Sequence, residues 1–190
     1  FINDIMRFLD NVLTDFIDRA PEQFKDAKYS AMRERSVGLG VMGLHSYFQK
    51  NMIPLESVMS KVWNKKIFKN IQEKADQASK DLADERGACP DAAEYNFKER
   101  FSNKTAIAPT ASISIICGGA SPGVEPVAAN SYTHKTLSGS YNVRNRYLEK
   151  ILEKHGKNND ETWSSITTNH GSISHLDFLT DFEKYVFKTA

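Results

Sequence analysis

Apolar residues recur at three- and four-residue spacing through Ile2, Ile5, Leu9, Val12, Leu13, Phe16 and Ile17, with Asp, Asn and Arg between them. This predicts an amphipathic helix over residues 2–19. Ala20-Pro21 ends it, because proline disfavours helical backbone at the residue before it. Residues 22–35 are polar and predict a second, short helix whose last turn carries Met32, Arg33 and Arg35. Helical period returns after Pro54 in Val58, Val62, Trp63, Ile67, Ile71, Ala75, Ala78 and Leu82, and Gly87 supplies the stop. The stripe on this long helix reads as core. Residues 88–104 read as a polar connection with a helical turn around Tyr95 to Phe101.

Two stretches break the helical pattern. Val37 to Leu44 is too rich in glycine for a good helix and reads as a tightly packed strand, followed by the helical His45 to Lys50. Its Gly38-x-Gly40-x-x-Gly43 spacing matches the dinucleotide fingerprint as text. That motif needs a strand before its first glycine and an acidic residue about twenty positions on, and residues 31–36 are not a strand. The three glycines are therefore expected to pack against protein. Further on, residues 130–143 hold β-branched and aromatic residues around Ser138-Gly139, as either a hairpin or an extended loop. Tyr147, Leu148, Ile151 and Leu152 predict a helix ending at His155-Gly156, Trp163 to Thr168 is helical or extended, residues 169–172 form a turn, and Asp181 to Phe187 is a closing helix.

Candidate chemistry concentrates in Thr105 to Cys117 and the Gly118 to Pro126 stretch that follows. Ala106 to Ala108 reads as a buried strand stopped by Pro109, which cannot donate to a sheet ladder. A helix start follows. Thr110, Ser112 and Ser114 bring hydroxyls to the place where main-chain N–H groups have no intrahelical partner and where the helix dipole is positive. A phosphate could be held there without lysine or arginine. The same residues also suit a plain helix cap. On the phosphate reading, Ser112 and its neighbouring N–H groups face a cleft, and a continuous buried strand over 110–114 would exclude the site.

Composition narrows the function classes. Of 190 residues, 40% are hydrophobic, and 25 basic residues balance 24 acidic ones, so net charge gives no case for a nucleic-acid or membrane partner. No apolar run reaches membrane-span length and no signal peptide opens the chain. Two cysteines, Cys89 and Cys117, are too few for a disulfide scaffold and fit a reducing, cytoplasmic setting. Both read as structural, packing as small apolar residues. His170 and His175 do not have the spacing of a helical zinc pair, and nothing nearby completes a metal site. Glu125, in a rigid loop close in sequence to the 110–114 turn, is the carboxylate to watch but reads as a solvent-facing turn residue; Lys104 and Lys135 flank the region. The chain opens at Phe1 in helical pattern and closes without a polar tail, the pattern of an internal segment of a longer protein.

Four ordered motifs carry a resemblance: Arg35-Ser-Val-Gly-Leu-Gly-Val-Met-Gly-Leu44, Ala108-Pro-Thr-Ala-Ser112, Gly123-Val-Glu-Pro126 and Ser131-Tyr-Thr-His-Lys-Thr-Leu-Ser-Gly139. Together they resemble the large catalytic subunit of class I ribonucleoside-diphosphate reductase, most of all its bacteriophage versions, over essentially all 190 residues. The resemblance implies a helix-rich α/β fold, with residues 1–190 forming part of a ten-stranded α/β barrel. It places the substrate diphosphate on the hydroxyls and N–H groups of Thr110, Ala111, Ser112, Ile113 and Ser114.

It also implies what this segment lacks. The family's thiyl-radical cysteine, redox cysteine pair and regulatory ATP-binding, allosteric nucleotide sites lie upstream of matching sequence, and its radical-relay tyrosines and cysteine tail lie downstream. Cys89 and Cys117 match none of those cysteines. The segment is therefore expected to need no cofactor of its own and to be inactive alone. The full enzyme is expected to take a radical from a metal-containing small subunit and electrons from a thioredoxin- or glutaredoxin-type reductant, in the cytoplasm, or the host cytoplasm if phage-encoded. The competing reading is a stand-alone phosphate-binding or assembly module, or a split-gene piece, that docks on a partner chain. A nicotinamide-cofactor enzyme, suggested by the glycine triplet, is the third.

Overall fold

Helices dominate the computed structural model, which describes residues 1–137 and 139–190. In chain order they are α1 (Ile2–Arg19), α2 (Lys25–Glu34), α3 (Leu44–Lys50), α4 (Val58–Arg86), α5 (Pro90–Glu94), α6 (Ala111–Ile116), α7 (Arg146–Lys154), α8 (Asp160–Thr168) and α9 (Asp181–Val186). The sheet among the described residues is one antiparallel hairpin, β1 (Ser131–Thr136) with β2 (Gly139–Arg144), which pairs Tyr132 with Val143 and Thr136 with Gly139. The chain divides into two units: residues 1–40 with 64–107, and residues 41–63 with 108–190. No helix among the described residues is long and apolar enough to cross a membrane.

The first unit packs α1 on α4. Met6 meets Ala75, Ala78 and Leu82, whose spacing keeps them on one face of α4, and Phe101 closes the cluster. The small alanines let the helix surfaces approach closely. Ser79 Oγ accepts from the Arg100 and Phe101 N–H groups (3.0 and 3.3 Å), tying the segment after α5 to the C-terminal third of α4. The expected helical turn at 95–101 falls earlier, as α5, because Pro90 at its first position has no N–H to leave unpaired.

Extended segments 37–39 and 103–106 run alongside one another. Val37 N–H donates to Asn103 O, Leu39 N–H to Lys104 O, and Ala106 N–H to Leu39 O, with one parallel bridge between Leu39 and Thr105. A Cβ on Gly40 would lie 2.6 Å from the Ala106 carbonyl oxygen, so glycine is required for this approach. Gly38 likewise faces Ala106 and Gly43 faces Ala120, as expected of glycines that pack against protein. The expected buried strand at 106–108 is corrected: the contact stops at one bridge, and Ile107 is 80% exposed. The barrel implied by the resemblance is likewise unconfirmed, since the sheet among the described residues has two strands.

The second unit is built on α7, α8 and α9. Leu148, Ile151, Leu152, Trp163, Ile166 and Phe187 form its centre, so Trp163 to Thr168 resolves as helix. Each of the three helices has a side-chain cap: Asn145 for α7, Asn159 for α8 and Thr180 for α9. Thr180 and Glu183 form a reciprocal capping box, and Glu183 also bonds His155 Nε2 (3.1 Å) at the end of α7. Thr180→Ala should lower stability by about 1 kcal/mol in urea denaturation. A cost near zero would mean that water caps α9 equally well.

Candidate functional site

The 110–114 turn is a helix start rather than a strand. Pro109 ends the extended segment, Thr110 adopts a left-handed conformation (φ +49°), and α6 begins at Ala111. A β-branched residue rarely takes positive φ, so something must hold it there. That contact is the Gly123 N–H, which donates to Thr110 Oγ1 at 2.8 Å. Gly123 is itself buried at φ +46°, and a Cβ there would lie 2.8 Å from the Ala108 carbonyl oxygen. Only glycine fits, which gives the Gly123-Val-Glu-Pro126 motif a physical role.

The hydroxyls divide their work. Thr110 does not cap α6 through its side chain. Ser114 is buried, and its Oγ donates to the Ala111 carbonyl (2.9 Å) while its N–H bonds Thr110 O (2.9 Å). Because that is the first bond of the turn, the N–H groups of Ala111, Ser112 and Ile113 precede it at the helix start. These three residues are exposed. The arrangement can accept an anion by main-chain donors, with Ser112 as the exposed hydroxyl.

Several anchors were invisible in the sequence. Ser46 and Ser121 exchange reciprocal bonds, Ser46 N–H to Ser121 Oγ (3.1 Å) and Ser121 N–H to Ser46 Oγ (2.8 Å), while Gly43 N–H donates to Ser121 O (2.7 Å). His45 Nδ1 accepts from Val127 N–H at 3.0 Å. The start of α3 thus clamps the loop from Ser121 to Val127. Burial holds the His45 imidazole down at about 4, so it is neutral at physiological pH. Arg146, opening α7, donates to the Gly118 carbonyl just beyond α6, where a cation complements the helix C-terminus. The motif residues gave no hint of these partners, 75 or more positions away for the serines and the histidine.

Other candidates fall away from the turn. Lys104 is held by Asp76 (2.7 Å) and Glu99 (3.2 Å) within the first unit. Glu125 is an exposed turn residue, its N–H bonded to Pro122 O (3.1 Å). Cys89 is buried, whereas Cys117 is exposed at the end of α6, which corrects its reading as a packed apolar residue. Among the described residues no cluster of three His, Cys, Asp or Glu could hold a metal ion.

Residues 2–100 and 96–190 match the family described as ribonucleotide reductase, barrel domain. A ribonucleoside-diphosphate reductase large subunit of Invertebrate iridescent virus 3 is 44% identical over 192 residues, covering 100% of this chain and 30% of that protein. Its counterpart by name in Danio rerio is 30% identical over 207 residues, covering 93% of this chain and 26% of that protein. Among solved structures, the Actinobacillus ureae class Id ribonucleotide reductase alpha subunit superposes with a TM-score of 0.89 at 39% identity, over 99% of this chain and 34% of that one. The chain spans about a third or less of the length of these relatives.

Proposed function

Because the chain belongs to the ribonucleotide reductase barrel-domain family, we propose that it forms part of the large subunit of a ribonucleoside-diphosphate reductase and that residues 110–114 hold the substrate diphosphate. The observation that carries the reading is the start of α6, where Ala111, Ser112 and Ile113, whose N–H groups precede the first helical bond, are exposed residues just after a left-handed Thr110. On this reading Ala111, Ser112 and Ile113 donate to phosphate oxygens, while Thr110 and Ser114 shape the turn through Gly123 and the Ala111 carbonyl.

The radical chemistry belongs, in the same reading, to the remainder of the large subunit. A cysteine thiyl would cut the ribose 3′ C–H bond and a cysteine pair would supply electrons, whereas the two thiols here are free, one buried and one exposed. The remainder completes the ten-stranded barrel, a metal-containing small subunit supplies the radical, and a thioredoxin- or glutaredoxin-type protein re-reduces the enzyme. The 190 residues alone are expected to show no turnover.

One observation favours assembly with another polypeptide. Phe8, Val12 and Phe16 form an i, i+4, i+8 stripe on α1 that is 64%, 51% and 37% exposed. Such a stripe suits packing against the rest of the subunit, and it also fits a docking module.

Titration of the purified chain with a ribonucleoside diphosphate, for wild type and Ser112→Pro, tests the site. Proline removes one N–H donor and disturbs the backbone of Ala111. Loss of one charge-assisted hydrogen bond should weaken binding by about tenfold or more, with the circular dichroism spectrum retained. Equal affinity in both proteins, or no binding in either, would remove the turn as the diphosphate site of this chain.

A further inference from the structure

Within the second unit lies a cavity of about 420 Å³, walled by Ala111 and Ile115 of α6 and by Val127, Val143 and Tyr147, with Gln49 of α3 in its side. That volume falls within the range of small-molecule sites. The polar groups beside it have fixed orientations. Asn145 caps α7, so its Oδ1 accepts from the Tyr147 and Leu148 N–H groups (3.0 and 3.4 Å). A main-chain N–H can only donate, so Asn145 Nδ2 is fixed as the donor to Gln49 Oε1 (2.9 Å) and to Asn130 Oδ1 (2.8 Å). Asn130 Nδ2 then donates to the carbonyls of Phe187 (2.8 Å) and Gly171 (3.2 Å).

One group in this chain of amides is left over. Gln49 Nε2, a donor by the same logic, is buried without a partner in the protein. A buried donor left unmade is costly, and an acceptor arriving in the cavity would recover part of that cost. Charge does not compete for the site. Arg144 pairs with Asp160 (2.8 Å) and lies over the Trp163 ring, and Arg146 is engaged with the Gly118 carbonyl. With apolar walls, two tyrosine neighbours in Tyr132 and Tyr147, and both arginines occupied, the complement is neutral, flat and largely apolar.

We infer that this cavity binds a small neutral aryl amide or a similar flat molecule with one carbonyl acceptor, which takes the Gln49 N–H. Ala111 belongs both to this wall and to the turn proposed for the diphosphate, but the donor, Gln49, takes no part in that reading, so either assignment can fail alone.

The test is an NMR titration of the ¹⁵N-labelled 190-residue chain with acetanilide and, as a probe without an acceptor, ethylbenzene. Acetanilide should shift the Gln49 side-chain amide pair and the Ile115 and Tyr147 amides saturably. Gln49→Met keeps the volume and removes the donor, and should weaken acetanilide by about tenfold while leaving ethylbenzene unchanged. Should that variant fail to fold, Ile115→Trp, which fills the cavity from a partly exposed helix position, should abolish the saturable shifts. No saturable shift in wild type, equal acetanilide affinity in Gln49→Met, or shifts that persist in Ile115→Trp would each overturn the assignment.

Discussion

Replacing Asp10 with alanine should destabilise the first unit by about 3–5 kcal/mol, the cost of leaving buried charges without their counter-ion. Asp10 is fully buried on α1 and meets three guanidinium groups. Arg35 reaches its Oδ1 through Nη2 (2.6 Å) and Nε (3.0 Å), Arg100 Nε reaches the same oxygen (2.9 Å), and Arg86 Nη1 takes Oδ2 (2.8 Å). Burial alone would push the Asp10 carboxyl up, but hydrogen bonds from Arg100, Arg35 and Arg86 outweigh it and hold the group below its ordinary value. A depressed carboxyl contributes stability above the unfolded aspartate range, near pH 4, and loses it as pH falls through the lower folded value. The alanine variant should therefore lack that acid-side loss. Urea denaturation followed at 222 nm reads this unit, because α1 and most of α4 belong to it. A cost below about 1 kcal/mol would mean that the arginines find solvent easily and that the cluster is a surface feature.

That cluster also marks the limit of what local pattern conveys. The period of α1 and α4 was legible because a stripe marks each helix, but reading the α4 stripe as core holds only for Ala75, Ala78 and Leu82, while Val58 and Val62 are exposed, as Val12 and Phe16 are on α1. Asp10, however, fell among the polar positions between apolar ones, and its partners lie 25, 76 and 90 residues away. Arg35 was expected in the last turn of α2. It instead ends the helix in a left-handed conformation, φ +44°, and its side chain turns to Asp10. The helix start at Ala111 was legible for a comparable reason: Pro109 and a run of hydroxyls are local signals for one. Which hydroxyl does what was not, since Thr110 answers to Gly123 and only the folded loop brings them together. The strand at 106–108 misled because an apolar run is read as buried, while its exposure depends on neighbours no local window contains.

Between pH 7 and pH 5 the wild-type chain should lose about 2 kcal/mol of stability that a His45→Asn variant does not lose. His45 is fully buried, and its Nδ1 accepts from Val127 N–H, so the proton of the neutral ring is on Nε2. Protonating Nδ1 would break that bond as well as bury a charge, and burial holds the group down at about 4. In the unfolded chain the ring titrates near pH 6.5. The stabilising contribution is thus fully present above about pH 6.5 and is lost as pH falls toward 4, where the folded ring also charges. Asparagine can still accept from Val127 N–H but does not titrate, so its lower overall stability should be flat across this window where wild type slopes. Both tryptophans, Trp63 and Trp163, lie in the second unit with His45, so fluorescence-detected urea unfolding follows the right part of the molecule. Parallel pH curves for the two proteins would mean that water reaches the ring. The Ser121–Val127 clamp beside the 110–114 turn would then be open, and the left-handed Thr110 would lack the rigid loop that Gly123 needs to hold it.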